Sequence, residues 1–268
     1  MRLLKRDLKL RLGARTGFSI AVILFVVIAA VSAVYGQGRG GPQGPPPSPK
    51  ASAPIDLTGY WVSVVTEDWR YRMITPSKGD YQSVPMNPAA IKAADAWDPA
   101  KDEAAGEQCK SYGAAAIMRV PGRIHITWVD DNTLRIDTDS GTQTRLLHFG
   151  NWKAPGGEPT LQGDSVAQWK AQRTGRGPAA PPPASGDLKV VTTHMQAGYL
   201  RKNGVPYSAN TVLTEYYDVI RGVDGNAWLA ATSMVDDPAF LRMTFITSSN
   251  FKKQADNAGW DPSPCSSK

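Results

Sequence analysis

The sequence predicts a mainly β protein: an antiparallel β-barrel, or a strongly curved meander sheet, with two short helices near its start. Three observations carry this prediction. Apolar and polar residues alternate with period two through roughly nine segments, the repeat that places successive side chains on opposite faces of a strand. Turn-forming clusters, Asp130–Thr133 and Asp139–Gly141 among them, separate those segments at short intervals. Helix start signals are confined to residues 87–106, so the chain lacks the strand–helix alternation of a parallel α/β sheet.

Residues 1–36 stand apart from the fold. Arg2, Lys5, Arg6, Lys9, Arg11 and Arg15 form a basic stretch, broken only by Asp7, ahead of an apolar run from Phe18 to Tyr35. This is an export signal. It reads either as a cleaved signal peptide, with small residues at Ala33 and Gly36, or as an uncleaved membrane anchor over residues 17–36. A periplasmic or extracellular location is expected in both cases. The same segment supplies most of the charge. The chain has 30 Lys and Arg against 24 Asp and Glu, and the first 15 residues carry six of those bases and one acid, leaving a nearly neutral remainder. A nucleic-acid partner therefore loses its electrostatic basis, and membrane contact is expected only through the N-terminal segment.

Residues 37–54, "QGRGGPQGPPPSPKASAP", read as an extended, mobile Gly/Pro-rich tether. A single β-barrel domain is expected over residues 55–268. "GYWVSVV" is its first strand. Asn87-Pro88 and Asp98-Pro99 each pair an N-cap residue with proline at the first helical position, and Gly106 is a stop signal, so two short helices follow. "GRIHITWVDDNTLRIDTDSGTQTRLLHFG" reads as three strands, and further strands are expected at Ser165–Trp169, Leu188–Gln196, Val212–Ile220, Ala227–Val235 and Phe240–Ser248. A Pro/Gly/Ala insert at 174–186 interrupts them and is expected to be mobile. Cys109 and Cys265, in an exported chain, are expected to form one disulfide, the alternative being two separate thiols. Cys/His clusters at zinc spacing are absent from the sequence, and no metal site or cofactor is expected.

Splitting the strands into faces isolates a few misplaced polar residues. Arg145 falls with Leu147 and Phe149, and Glu215 falls with Leu213, Tyr217 and Val219. A lone charge on such a face costs several kcal/mol, so the two are expected to meet inside the barrel, as a structural ion pair or as a pair orienting a ligand. His125 falls on a polar face and is read as solvated. Arg201 flanks the Lys202-Asn203-Gly204 turn and His194 precedes that loop; both are placed at the barrel mouth, where a histidine beside a Tyr/Arg-rich loop could bind an anion or act as an acid/base. Trp61, Trp128, Trp169 and Tyr217 are strand aromatics that could line an apolar ligand cavity. Asp130-Asp131 and Asp236-Asp237 are read as solvated turns. Nucleophile-elbow, HExxH and Walker motifs are missing from the sequence.

Several of these segments resemble a family of exported bacterial proteins usually labelled hypothetical. They are "DLTGYW" at Asp56–Trp61, "TRLLHFG" at Thr144–Gly150, "LTE" at Leu213–Glu215, the Gly163, Ser165 and Trp169 spacing, and the Asp237-Pro238 turn. The resemblance implies export and a β-rich fold and supplies no catalytic residue or cofactor. Likeness to lipocalins is one of fold only and does not fix function. The leading expectation is a non-catalytic barrel binding a small, partly apolar ligand through Arg145, Glu215, His194, Arg201, Trp61, Trp128, Trp169 and Tyr217. A hydrolase or isomerase using His194 with Glu215 is the second expectation, and a membrane-tethered interaction module the third.

Overall fold

The computed structural model describes residues 45–172 and 185–267. The expected signal or anchor, the tether up to residue 44 and residues 174–184 of the expected insert lie outside the described residues. In chain order the strands are β1 (Gly59–Val64), β2 (Arg123–Asp130), β3 (Thr133–Thr138), β4 (Thr144–Phe149), β5 (Asp164–Gln172), β6 (Ser185–Thr193), β7 (Gly198–Arg201), β8 (Val205–Tyr207), β9 (Val212–Arg221), β10 (Ala227–Asp236) and β11 (Phe245–Lys253). Nine of them close a barrel in the order β1-β11-β10-β9-β6-β5-β4-β3-β2, while β7 and β8 form a separate hairpin. Closure comes from β1, which pairs with β11 on one side and β2 on the other.

Three expectations are corrected here. The barrel is not wholly antiparallel, because β4 and β5 run parallel. Their connection, residues 150–163, is long enough to carry the chain back to the end from which β4 began, as a parallel pair requires. It finishes at Gly163, whose φ is +58° and where a Cβ would stand 2.4 Å from the Thr193 carbonyl oxygen, so only glycine fits. The last strand begins at Phe245 rather than Phe240. Residues before it are held in a turn built on Asp237. Its carboxylate accepts from the Ser208 amide and hydroxyl (2.6 and 2.9 Å) and the Ala239 amide (2.9 Å), and its carbonyl accepts from the Leu241 amide. Asp237 is buried, not solvated as its turn setting suggested.

The helices are short: α1 (Trp69–Arg72), α2 (Pro88–Asp95), α3 (Pro99–Ala104) and α4 (Ala114–Ile117). Asn87 accepts from the Ala90 amide and Asp98 from the Ala100 amide, each at 3.0 Å, so both caps satisfy an otherwise unpaired N–H. Inward residues of the barrel strands, including Trp61, Ile126, Leu134, Leu147, Leu188 and Phe251, form one fully buried core. A second core joins α2, α4 and the β7–β8 hairpin to Leu213, Val235 and Phe245 at one barrel end. The hairpin reaches the α2–α3 junction at Gly204, where φ is +82° and a Cβ would lie 2.3 Å from Trp97.

Cys109 and Cys265 are bonded (S–S 2.02 Å), which ties the C-terminal tail to the segment following α3 and fits an oxidising compartment. From the expected tether, the Pro49 carbonyl accepts from the Trp169 indole (2.8 Å) and the Lys50 amide donates to the Asp131 carbonyl (3.2 Å). Among the described residues, no helix is long and apolar enough to cross a membrane.

Candidate functional site

Arg145 and Glu215 meet inside the barrel. Arg145 Nη1 donates to Glu215 Oε1 (3.0 Å) and Nη2 to Oε2 (2.6 Å), a two-pronged pair with both side chains fully buried. Tyr217 donates its hydroxyl to Glu215 Oε1 (2.9 Å) and accepts from Arg145 (3.2 Å). Thr192 accepts from Arg145 Nη2 (3.4 Å) and shares a 2.7 Å hydrogen bond with Ser165. Burial opposes the guanidinium charge, but Glu215 and Tyr217 outweigh it and hold the Arg145 pKa above its ordinary value. Burial, then Glu215, pushes the Tyr217 hydroxyl up as well. Both carboxylate oxygens are taken by protein donors, and the surrounding side chains belong to the barrel core. The geometry is that of a structural ion pair tying β4 to β9.

The aromatic residues sort into two settings. Trp61 and Tyr217 are fully buried, with the Trp61 indole donating to the Leu57 carbonyl (2.9 Å). Trp128 and Trp169 pack around Phe149, with centroids 5.5 and 5.4 Å from it. His194 lies one residue past β6, with a left-handed φ of 56°, so strand alternation does not set its direction. Its Nδ1 lies 2.9 Å from Asp164 Oδ2. Glu215 is engaged by Arg145, so the expected partnership of His194 with Glu215 is replaced by one with Asp164. His125 stacks on Tyr60 at 3.9 Å and is half-buried rather than freely solvated.

Arg201 goes elsewhere. At the end of β7 it joins Arg72 of α1 and Arg119, just past α4, in a groove beside the barrel of about 490 Å³. All three are buried, at 4%, 8% and 6% exposure. Arg72 Nε donates to the Arg119 carbonyl (2.8 Å), and Arg72 Nη1 is paired with Glu67. Arg119 Nη2 donates to Asp68 (3.0 Å), and Arg201 Nη2 stands 3.9 Å from the same carboxylate oxygen. Arg201 Nη1 donates to the Gln82 carbonyl (2.6 Å), and its guanidinium lies over the Tyr71 ring at 4.1 Å. Glu67 and Asp68, with Asp80 acting on Arg201 at longer range, thus face three arginines. Arg72 Nη2, Arg119 Nη1, and Arg201 Nε and Nη2 are buried N–H groups with no hydrogen-bond acceptor. Burial and the neighbouring Arg119 charge press the Arg201 pKa down to about 10, and burial lowers that of Arg72. Asp68, the shared counter-charge, is itself held at φ 50°, a conformation non-glycine residues rarely take.

The groove is also lined by Leu200, Ala116 and Val120 and by tail residues Ser263 and Pro264. The tail is held there by the neighbouring Cys265 bridge. Sequence reasoning reached Arg201 and missed Arg72, Arg119 and Asp68. One signal was present: Arg119 is the only charge in the run Gly113–Pro121. No family model, curated protein or solved structure matches the chain.

Proposed function

We propose that the protein is an exported, non-catalytic binding protein whose ligand presents an anionic group to Arg72, Arg119 and Arg201 in the groove beside the barrel. The observation that carries this reading is the set of acceptor-less N–H groups on three buried guanidiniums lining one cavity. Orphaned buried donors are costly, and a phosphate or carboxylate relieves that cost with charge-assisted bonds. Inside the barrel Arg145 Nε also lacks an acceptor, but both terminal nitrogens are engaged by Glu215, Tyr217 and Thr192, so that charge is already matched one to one. The partly apolar character expected of the ligand moves with the site, because Leu200, Val120, Met73 and Ile74 also line the groove.

Thermal unfolding in inorganic phosphate, against chloride at equal ionic strength, tests this reading. Phosphate at ten times its Kd should stabilise by about 1.4 kcal/mol through linkage. The Arg119→Met/Arg201→Met variant should show none of that gain. Equal stabilisation by phosphate and chloride, or a gain that survives in the double variant, would remove the anion site.

A further inference from the structure

The outer lip of the groove is apolar and exposed. Trp69, Met73 and Ile74 are 62%, 59% and 68% exposed, three large hydrophobic side chains within six residues. Trp69 and Met73 are four apart across α1, with the Met73 amide donating to the Trp69 carbonyl, so they project on the same side. This turn is fixed from behind. Arg72 is anchored by Glu67 and the Arg119 carbonyl, Arg70 is paired with Asp80, and Tyr71 lies under the Arg201 guanidinium. This anchoring leaves Trp69, Met73 and Ile74 largely exposed at the groove's edge, Met73 and Ile74 also lining it, while Tyr71 and Arg72 face the groove.

We propose that this lip is a bilayer-contacting surface: Trp69, Met73 and Ile74 enter the interface of an anionic leaflet, and the groove arginines take a lipid phosphate headgroup. The inference rests on the anion-binding reading above and names the source of the anion. Tryptophan beside aliphatic side chains is the composition that partitions to the headgroup level. Charge complementarity selects an anionic lipid over a neutral one. Arg70, its side chain 58% exposed, flanks Trp69, and Arg72, Arg119 and Arg201 lie behind the lip, in a chain whose net charge beyond residue 15 is close to zero. A half-open groove beside protruding side chains suits a headgroup whose acyl chains remain in the membrane better than it suits an enclosed soluble amphiphile.

Flotation of the full-length chain with phosphatidylcholine vesicles, with and without phosphatidylglycerol, tests the proposal. Residues 17–36 bind both lipids and the basic residues of 2–15 add phosphatidylglycerol-dependent binding in every variant alike, so the readout is how far each variant lowers the phosphatidylglycerol increment relative to wild type. Trp69→Ala/Met73→Ser/Ile74→Ser should reduce that increment by about tenfold or more, as expected for removing three apolar side chains from the interface. Arg119→Met/Arg201→Met should reduce it as well. The lip variant should keep its thermal stabilisation by inorganic phosphate, which separates the lip from the anion site. If phosphate stabilises the protein but phosphatidylglycerol adds nothing, or the lip variant floats like wild type, the bilayer surface is wrong and the anion site stands. If neither phosphate nor phosphatidylglycerol has an effect, both readings fall.

Discussion

Arg145 and Arg201 are both buried guanidiniums, 1% and 4% exposed, yet their surroundings differ in kind. Arg145 has a two-pronged carboxylate, a phenol and a threonine hydroxyl within reach, and its charge is held above its ordinary pKa. Arg201 has one backbone carbonyl, an aromatic face and a share in a carboxylate that Arg119 already uses, and its pKa is pressed down to about 10. A buried charge matched by its own carboxylate, as Arg145 is even though its Nε lacks an acceptor, reports architecture. An under-satisfied one that lines a groove marks a candidate site. Burial alone would not have told the two apart.

The largest expected effect sharpens this contrast through the groove wall. Cys109→Ser/Cys265→Ser opens a loop spanning 156 residues and should lower stability by about 4–5 kcal/mol in the chain-entropy view. Urea unfolding measures that loss. Stabilisation by phosphate should also fall as Ser263 and Pro264 leave the groove, whereas the barrel's far-ultraviolet dichroism should persist. Next, Arg145→Ala or Glu215→Ala strands a charge in the core and should cost about 3–5 kcal/mol, while Arg145→Met/Glu215→Leu should be close to neutral or stabilising. Equal losses in the single and double variants would erase the distinction between structural and functional arginines.

Arg201→Met should differ from wild type by about 1 kcal/mol or less in urea unfolding, since its charge is poorly compensated where it stands. Asp68→Asn removes the internal anion that Arg119 and Arg201 share, so calorimetric titration should find tighter phosphate binding than in wild type. The smallest effect lies on the barrel's outer wall. Burial lowers the pKa of His125 and His148 from the ordinary 6.5. Their folded midpoints lie below the unfolded value, so their contribution to stability is present above pH 6.5 and is lost as the pH falls through the folded midpoints. NMR titration of the two rings should find both midpoints below that of a denatured reference.

What could be read in the sequence follows the same division. Arg145 and Glu215 sit in strands, where period two fixes which way a side chain points, so their meeting across the barrel was legible from Leu147, Phe149, Leu213 and Tyr217 alone. The groove arginines hang from a single helical turn, the end of α4 and a hairpin strand, and the groove is finished by a disulfide-held tail. No periodicity sets direction in such segments, and Arg72 and Arg119 stand 47 residues apart in the sequence. The pairing of His194 with Glu215 failed for a related reason: β6 ends at Thr193 and the next residue turns left-handed, so His194 meets Asp164 instead. The parallel β4–β5 pair left no local signature, because direction is decided by where residues 150–163 travel.

The pairing of β1 with β11 has a consequence for biosynthesis. The first and last strands of the domain are neighbours, so the hydrogen-bonded ring cannot be completed until Phe245–Lys253 has left the ribosome. Until then the nascent polypeptide presents two raw edges, and any stop codon upstream of the final strand would leave them open to pairing with other chains.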